Sequence, residues 1–121
     1  MTAQGEHPPT NALLPLMSES QWQHHVIKLA KGFGWATYHT RFSIGSDSGW
    51  PDLALVKPGE EVIYVELKRE GKKKDIEPTA LQQMWLDRLA SALGTKVFVW
   101  RPRDSTEIVS ILSGGRAKVM L

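Results

Sequence analysis

The chain of 121 residues contains no cysteine, and it lacks any apolar run approaching the roughly 18 residues of a membrane span. The absence of cysteine excludes disulfides and thiolate metal ligands, so a bound metal would need oxygen or imidazole ligands. That ligand set favours hard cations such as Mg²⁺. The chain also lacks a basic start followed by an apolar stretch, so we expect a cytosolic protein without a membrane partner.

Composition and length indicate one folded domain. The hydrophobic fraction is 41% and the charged fraction 23%, values typical of a globular protein. A chain of this length is large enough for one hydrophobic core and too short for two. Residues 1–17 contain Pro8, Pro9 and Pro15 without apolar periodicity, so a flexible arm is predicted there and the folded domain over 18–121.

The positive charge is concentrated rather than spread. The net charge is only +2 and the pI about 9.0, but basic residues crowd the segment 68–74. A local positive patch can bind a polyanion even when the whole-chain charge is small. Lys72, Lys73 and Lys74 are therefore candidates for DNA binding, and an ordinary solvated loop is the alternative interpretation.

Three helices are indicated by caps and apolar spacing. Ser18 with Gln21, and Thr79 with Gln82, have the spacing of a capping box, so helices should begin there. Glycines at 32 and 34 and at 94 would end these two helices. Asp104 and Glu107 suggest the cap of a last helix. The second helix should bury Leu81, Trp85, Leu89 and Leu93, and the last should bury Ile108, Ile111 and Leu112.

Aromatic and β-branched runs predict strands over 35–42, 52–56, 61–68 and 96–100. Turn residues over 57–60 should join the second and third strands as an antiparallel hairpin. The strand, helix, strand succession that follows implies a right-handed crossover with the last strand parallel to the third. The predicted fold is therefore an α/β sandwich with a mixed sheet, in the order αβββαβα.

Charged residues stand where the third strand ends. Side chains alternate along a strand, so Tyr64, Glu66 and Lys68 share one face, and the last two lie roughly 7 Å apart. Charges at the end of a central strand are costly to bury without a partner or a purpose. A carboxylate can hold a divalent cation, and a neighbouring lysine can stabilise an oxyanion or help to deprotonate a metal-bound water. The pair suits phosphodiester hydrolysis.

A second carboxylate supports this interpretation. Asp52 opens the neighbouring strand of the hairpin and could face Glu66. Two carboxylates brought together form a magnesium site only if a cation neutralises their repulsion. Glu70 and Lys72 repeat the acid-to-lysine spacing, but they lie beyond the apolar run and beside a glycine, where flexible solvated charges are expected.

Several short motifs resemble one nuclease family. They are Glu19 in the first helix, Gly49-Trp50-Pro51-Asp52, Glu66-Leu67-Lys68, and Gln82 three residues before Trp85. Over about residues 18–112 the pattern resembles the VRR-NUC branch of the PD-(D/E)XK nucleases. It is most similar to small stand-alone members from bacteriophages and bacteria, which also tend to carry a stretch like Trp100-Arg101-Pro102.

The resemblance implies a restriction-endonuclease-like fold over 18–121 and a Mg²⁺- or Mn²⁺-dependent DNA nuclease. It implies the following roles: Asp52, Glu66 and the Leu67 carbonyl as metal ligands, Lys68 as the catalytic lysine, Glu19 as an accessory acid and Gln82 as an active-site helper. Two of these have simpler explanations. An acid in a first helical turn is favoured by the helix dipole, and Gln82 could be only one half of a capping box.

We therefore expect a cytoplasmic endonuclease of a bacterial or phage-infected cell that cuts DNA by in-line attack of a metal-activated water. Relatedness to stand-alone nucleases suggests a homodimer acting on branched DNA such as Holliday junctions. Trp50, beside Asp52, is a further candidate for DNA contact, whereas Trp22, Trp85 and Trp100 are expected in the core. His24, His25 and His39 have no trusted metal-ligand spacing. The alternatives are a non-catalytic nucleic-acid-binding module on the same fold and a structural or partner-binding α/β domain whose polar strand end is merely solvated.

Overall fold

A computed structural model describes residues 17–41, 47–71 and 77–115. Within these ranges the elements follow the predicted order. They are α1 (Glu19–Gly32), β1 (Ala36–His39), β2 (Leu53–Val56), β3 (Val62–Leu67), α2 (Ala80–Ala90), β4 (Thr95–Trp100) and α3 (Ser105–Leu112), with a 3-10 turn (Pro102–Asp104) before α3. No helix of the described ranges is both long and apolar enough to cross a membrane.

The strands form one mixed sheet in the order β1-β2-β3-β4. The pairs β1/β2 and β2/β3 are antiparallel, and β4 runs parallel to β3 after the crossover through α2. The predicted α/β sandwich is therefore confirmed, including the parallel final pair. This topology brings the end of β3, the start of β2 and the end of β4 to one edge of the sheet.

The main core lies between one face of the sheet and the helices α1 and α3. Ile63 and Val65 point into it and are 2% and 0% exposed, which matches the apolar face predicted for β3. Two of the predicted core tryptophans, Trp22 and Trp100, are each 1% exposed. The remaining buried members are Val26, Ala30, Trp35, Leu53, Leu55, Leu67, Ile108 and Leu112.

Helix α2 covers the opposite face, where it contacts β3 and β4. The apolar stripe predicted for this helix is wrong at both ends. Leu81 is 51% exposed, Leu93 is fully exposed, and the buried residue of the helix is Leu86 at 3%. At the C-terminal end the physical reason is that α2 already ends at Ala90. Leu93 therefore lies in the following turn and cannot continue the helical face.

Both predicted capping boxes are present. The Ser18 side chain accepts from the Gln21 N–H and the Gln21 side chain accepts from the Ser18 N–H, and Thr79 and Gln82 do the same. The third predicted cap is wrong. Asp104 stands at the start of α3 without capping it, because its carboxylate accepts from the Arg101 N–H at 2.8 Å and closes the preceding 3-10 turn.

Two predictions concern segments outside the described residues: the flexible arm, apart from Met17, and the lysines Lys72, Lys73 and Lys74. Met17 itself is half-buried and packs against the main core. The described chain therefore starts to contribute to the core just before α1 begins.

Candidate active site

Asp52 and Glu66 lie opposite each other at the edge where β2 starts and β3 ends. Leu53 pairs with Val65 in the antiparallel register, and the next step of that register sets Asp52 beside Glu66. Backbone contacts fix Asp52 on both sides. Its carbonyl accepts from the Thr40 N–H at 2.9 Å, and its Oδ2 accepts from the Leu67 N–H at 2.8 Å. The carboxylate is thus oriented by the strands themselves.

Glu66 is the buried acid of the pair. The residue is 2% exposed, and its Oε1 is buried without a hydrogen-bond partner. Its Oε2 lies 3.7 Å from Lys68 Nζ, and the lysine side chain is 13% exposed. Leaving a buried carboxylate oxygen unsatisfied costs free energy, and none of the described residues supplies a hydrogen bond to this one.

The surroundings of the two acids favour retention of a proton. Burial and, after it, the charge of Asp52 raise the pKa of Glu66 to about 8 against the opposing charge of Lys68. Burial also raises the pKa of Asp52, against the hydrogen bond from the Leu67 N–H. The pair therefore releases its protons less readily than two isolated carboxyl groups would, and added positive charge favours its full ionisation.

The donor set fits a divalent cation. Two carboxylates and the Leu67 carbonyl are hard oxygen donors at one strand end, and one carboxylate oxygen is unsatisfied. Throughout residues 17–41, 47–71 and 77–115, no three His, Asp or Glu side chains form a ready-made metal cluster. A cation here would use Asp52, Glu66 and backbone or solvent oxygens. Two of the histidines contact other side chains: His25 stacks on Trp22, and His39 contacts Gln23.

Glu19 lies in the first turn of α1 and is exposed. Its negative charge raises the pKa of Asp52, so the structure brings it within electrostatic range of the pair. Helix α1 packs on the core face of the sheet, so Glu19 lies on that side of the acid pair. Its role as an accessory acid remains a prediction.

Gln82 is engaged in its capping box. Its side-chain oxygen accepts from the Thr79 N–H at 2.8 Å, which is the simpler of the two predicted roles. The same helix end packs against the loop that leads to Asp52. A Cβ at Gly49 would lie 2.8 Å from the Leu81 carbonyl carbon, and Gly49 has a φ of +90°. Glycine is required here for both reasons, and its contact sets α2 against the candidate site.

Trp50 is half-buried in an aromatic cluster beside Asp52. Its ring packs edge-on against Tyr64 at 5.8 Å and against Trp85 at 5.1 Å. Trp85, which was expected in the core, is half-buried and donates from its indole N–H to the Ser48 carbonyl at 3.2 Å. A DNA contact by Trp50 stays a prediction. The sequence did not single out Tyr64, although its place on the Glu66 face of β3 was visible from strand alternation.

The interpretation of Glu70 as a flexible solvated charge is wrong. Its carboxylate accepts from the Arg103 N–H at 2.8 Å and forms an ion pair with the Arg103 guanidinium at 3.0 Å. The parallel pairing of β3 and β4 causes this, because it sets the turn after β4 beside the segment after β3. Glu70 nonetheless lies past the strand end and apart from the pair at 52 and 66.

No family model and no curated protein matches the chain. Among solved structures, the chain is similar to one described as "VRR_NUC domain", with a TM-score of 0.61 and 17% sequence identity over 76% of this chain and 94% of that chain. A likeness at this identity shows the fold. The chain therefore has the α/β fold of a VRR_NUC domain, as its motifs indicated.

Proposed function

We propose that this chain is a divalent-metal-dependent DNA endonuclease of the PD-(D/E)XK type, using Mg²⁺ or Mn²⁺. The observation that carries the proposal is the buried Glu66 carboxylate, with one unsatisfied oxygen, opposite Asp52 and beside Lys68. An acid pair with one buried member is destabilising in an isolated domain. It is useful where a cation and a phosphodiester complete the site.

Each residue has a distinct task in this proposal. Asp52 and Glu66, with the Leu67 carbonyl, would hold the cation, which when bound neutralises the acid pair and stabilises charge on the phosphodiester. Lys68 orients the attacking water and offsets the negative charge that develops on the phosphate. Asp52 is kept in place by the Leu67 N–H. Glu19 and Gln82 complete the proposed catalytic set as accessory groups.

The finer part of the proposal concerns the substrate and the assembly. We infer a homodimer that prefers branched DNA, including Holliday junctions. A single small domain offers little surface for gripping two duplex arms, and a two-fold dimer would supply two sites for paired cuts. Light scattering tests the stoichiometry, and a mass of 13.6 kDa over the micromolar range would contradict the dimer.

The deciding experiment uses purified protein on single-stranded, duplex, flap and four-way-junction DNA of matched sequence. Cleavage should require Mg²⁺ or Mn²⁺, stop with EDTA and be fastest on the junction. Binding without cleavage under all these conditions would support the non-catalytic nucleic-acid-binding module. Equal rates on junction and linear duplex would retain the nuclease and remove the branched-DNA preference.

The lysine segment can be tested separately. Replacing Lys72, Lys73 and Lys74 together by alanine should weaken binding of all DNA sequences about equally, because interactions with phosphates carry no sequence information. The salt dependence of binding should also flatten, by about 0.9 in the log–log slope for each phosphate of duplex DNA that is no longer neutralised. Binding measured by fluorescence anisotropy from low to moderate salt checks this. An unchanged slope would favour the alternative interpretation, in which these lysines belong to an ordinary solvated loop.

A further inference from the structure

The sheet face that carries the acid pair continues away from it as a row that contains two tyrosines. Tyr38, Ala54 and Tyr64 are register partners across β1, β2 and β3. The acid pair occupies the next row on the same face, one step of two residues along the strands, or roughly 7 Å away. This row is therefore within reach of a nucleotide next to one held at the acid pair.

The row is accessible. Tyr38 is 66% exposed and Tyr64 is half-buried, whereas Ala54 between them contributes only a methyl group. Helix α2 lies over β3 and β4, and the exposure of Tyr38 shows that the β1 side of this face is open. Trp50, packed edge-on against Tyr64, extends the aromatic surface toward Asp52.

We propose that Tyr38, Ala54, Tyr64 and Trp50 form a stacking surface that binds unpaired nucleotides of the DNA substrate next to the cleaved phosphodiester. The inference rests on the proposed nuclease function and specifies its substrate: DNA with unpaired bases beside the cut, as at a flap or an opened branch point. Aromatic side chains bind single strands by stacking on base faces, which a closed duplex hides.

The distribution of charge supports nucleic acid as the occupant. Lys68 stands on the same face beyond Glu66, and the exposed Arg41 follows Thr40 at the same edge. Bases over the tyrosines would thus have phosphates near positive side chains, the combination found in single-strand binding sites. A second copy of the chain is a poorer occupant. The large hydrophobic residues that this half of the described sheet exposes are Tyr38 and Val56. Two side chains offer far less area than a stable interface, which buries roughly 800 Å² per partner.

The test measures binding of a labelled oligothymidylate, and of a blunt duplex of equal length, by fluorescence anisotropy in EDTA. Tyr38→Leu keeps an apolar side chain and removes the ring. It should weaken oligothymidylate binding roughly 5- to 150-fold, the range for removal of one base stack. Duplex binding and the salt slope of oligothymidylate binding should stay unchanged, since every phosphate interaction is retained. Tyr38→Phe should restore affinity, and Leu93→Ala on an exposed site elsewhere should have no effect.

Three outcomes would overturn the proposal: unchanged oligothymidylate binding in Tyr38→Leu, equal reductions on single strand and duplex, or a Tyr38→Leu protein that light scattering shows to be monomeric where the wild type is a dimer. A separate cleavage assay with Mg²⁺ distinguishes the two levels of inference. Single-strand binding that depends on Tyr38 without any cleavage would contradict the nuclease and support the stacking surface. Cleavage with no effect of Tyr38→Leu on binding would support the nuclease and contradict the stacking surface.

Discussion

The two ends of β3 carry the same pair of residue types in opposite surroundings. Just before the strand, Glu61 lies 3.9 Å from Lys96, and these side chains are 49% and 52% exposed. At the other end Glu66 lies 3.7 Å from Lys68, with side chains 3% and 13% exposed. The distance between the carboxylate oxygen and the lysine nitrogen is nearly the same in both pairs, whereas the burial of the side chains differs. The suitability of a Glu–Lys pair for catalysis therefore depends on its burial rather than on the distance between the two charges.

Burial also explains why only the second pair suits a metal site. Solvent satisfies and screens the exposed carboxylate of Glu61. Glu66 instead has a raised pKa, an unsatisfied oxygen and a second acid, Asp52, beside it. A cation can relieve all of these at once.

The largest effect should be on cleavage. Glu66→Gln, Asp52→Asn and Lys68→Ala should each reduce the cleavage rate by at least ~100-fold, because the three groups act as one unit around the reacting phosphate. The matched controls Glu61→Gln and Lys96→Ala remove the same residue types from the exposed end and should leave the rate within about twofold of the wild type. Single-turnover cleavage with saturating Mg²⁺ measures this, and circular dichroism checks the fold.

Metal binding should separate the lysine from the acids. Isothermal titration with Mn²⁺ should show weakened binding in Glu66→Gln and Asp52→Asn, and nearly normal binding in Lys68→Ala, since a cation does not coordinate an ammonium group. Retained cleavage in any two of the three variants would show that the reaction takes place elsewhere. Loss of cleavage in Glu61→Gln would show that burial is not what distinguishes the two ends.

The second effect should be on stability of the metal-free protein as a function of pH. The pKa of Glu66 is raised from 4.5 to about 8, so the folded state binds its proton more tightly than the unfolded state does. Its contribution to stability is fully present below pH 4.5 and is lost as pH rises through 8. The shift of Asp52 has the same direction. Thermal unfolding in EDTA should therefore show a Tm that falls by at least ~5 °C across this window.

Variants and metal can isolate the cause of that fall. Glu66→Gln should flatten the dependence because glutamine does not titrate, whereas Glu61→Gln should follow the wild type. Adding Mg²⁺ at the alkaline end should raise the Tm of the wild type, because a ligand that binds only the folded state stabilises it. A wild-type Tm that is flat or rises over the window would show that the acid pair is ionised without a cation, and the buried end would then resemble the exposed one.

Much of this contrast was predictable from the sequence. Strand alternation put Glu66 on the face opposite Ile63 and Val65, and the hairpin turn implied that Asp52 would lie near it. Both are local signals, carried by periodicity and turn residues within one hairpin. The two capping boxes were correct for the same reason, since each involves residues only three positions apart.

The errors at Glu70 and Trp85 share a different cause, whereas that at Leu93 arose locally. Glu70 looked like a solvated charge, but Arg103 reaches it from 33 positions away through the parallel pairing of β3 and β4. Leu93 looked buried because the helical period continued past the point where α2 ends. The aromatic packing of Trp50 on Tyr64 and Trp85 likewise depends on three separate segments. Contacts made by the assembled sheet leave no spacing signal in the chain, so sequence patterns could not reveal them.

The smallest effect should come from the ion pairs outside the site, and it extends the comparison to a third pair. Glu70 and Arg103 are intermediate in burial, with side chains 19% and 54% exposed. Both carboxylate oxygens of Glu70 accept hydrogen bonds from the Arg103 guanidinium, in addition to the attraction between the charges. Double-mutant cycles with Glu→Gln and Lys or Arg→Gln changes should give a coupling of about 0.3 kcal/mol for Glu61–Lys96 and about 1 kcal/mol for Glu70–Arg103.

Urea unfolding measures both cycles. Salt should reduce the Glu61–Lys96 coupling toward zero and the Glu70–Arg103 coupling only in part, because screening acts most on exposed charges. The ranking is the informative result. If the more exposed pair coupled as strongly as Glu70–Arg103, burial would not order the pairs around β3, and the contrast between its two ends would have to rest on the second carboxylate of Asp52 alone.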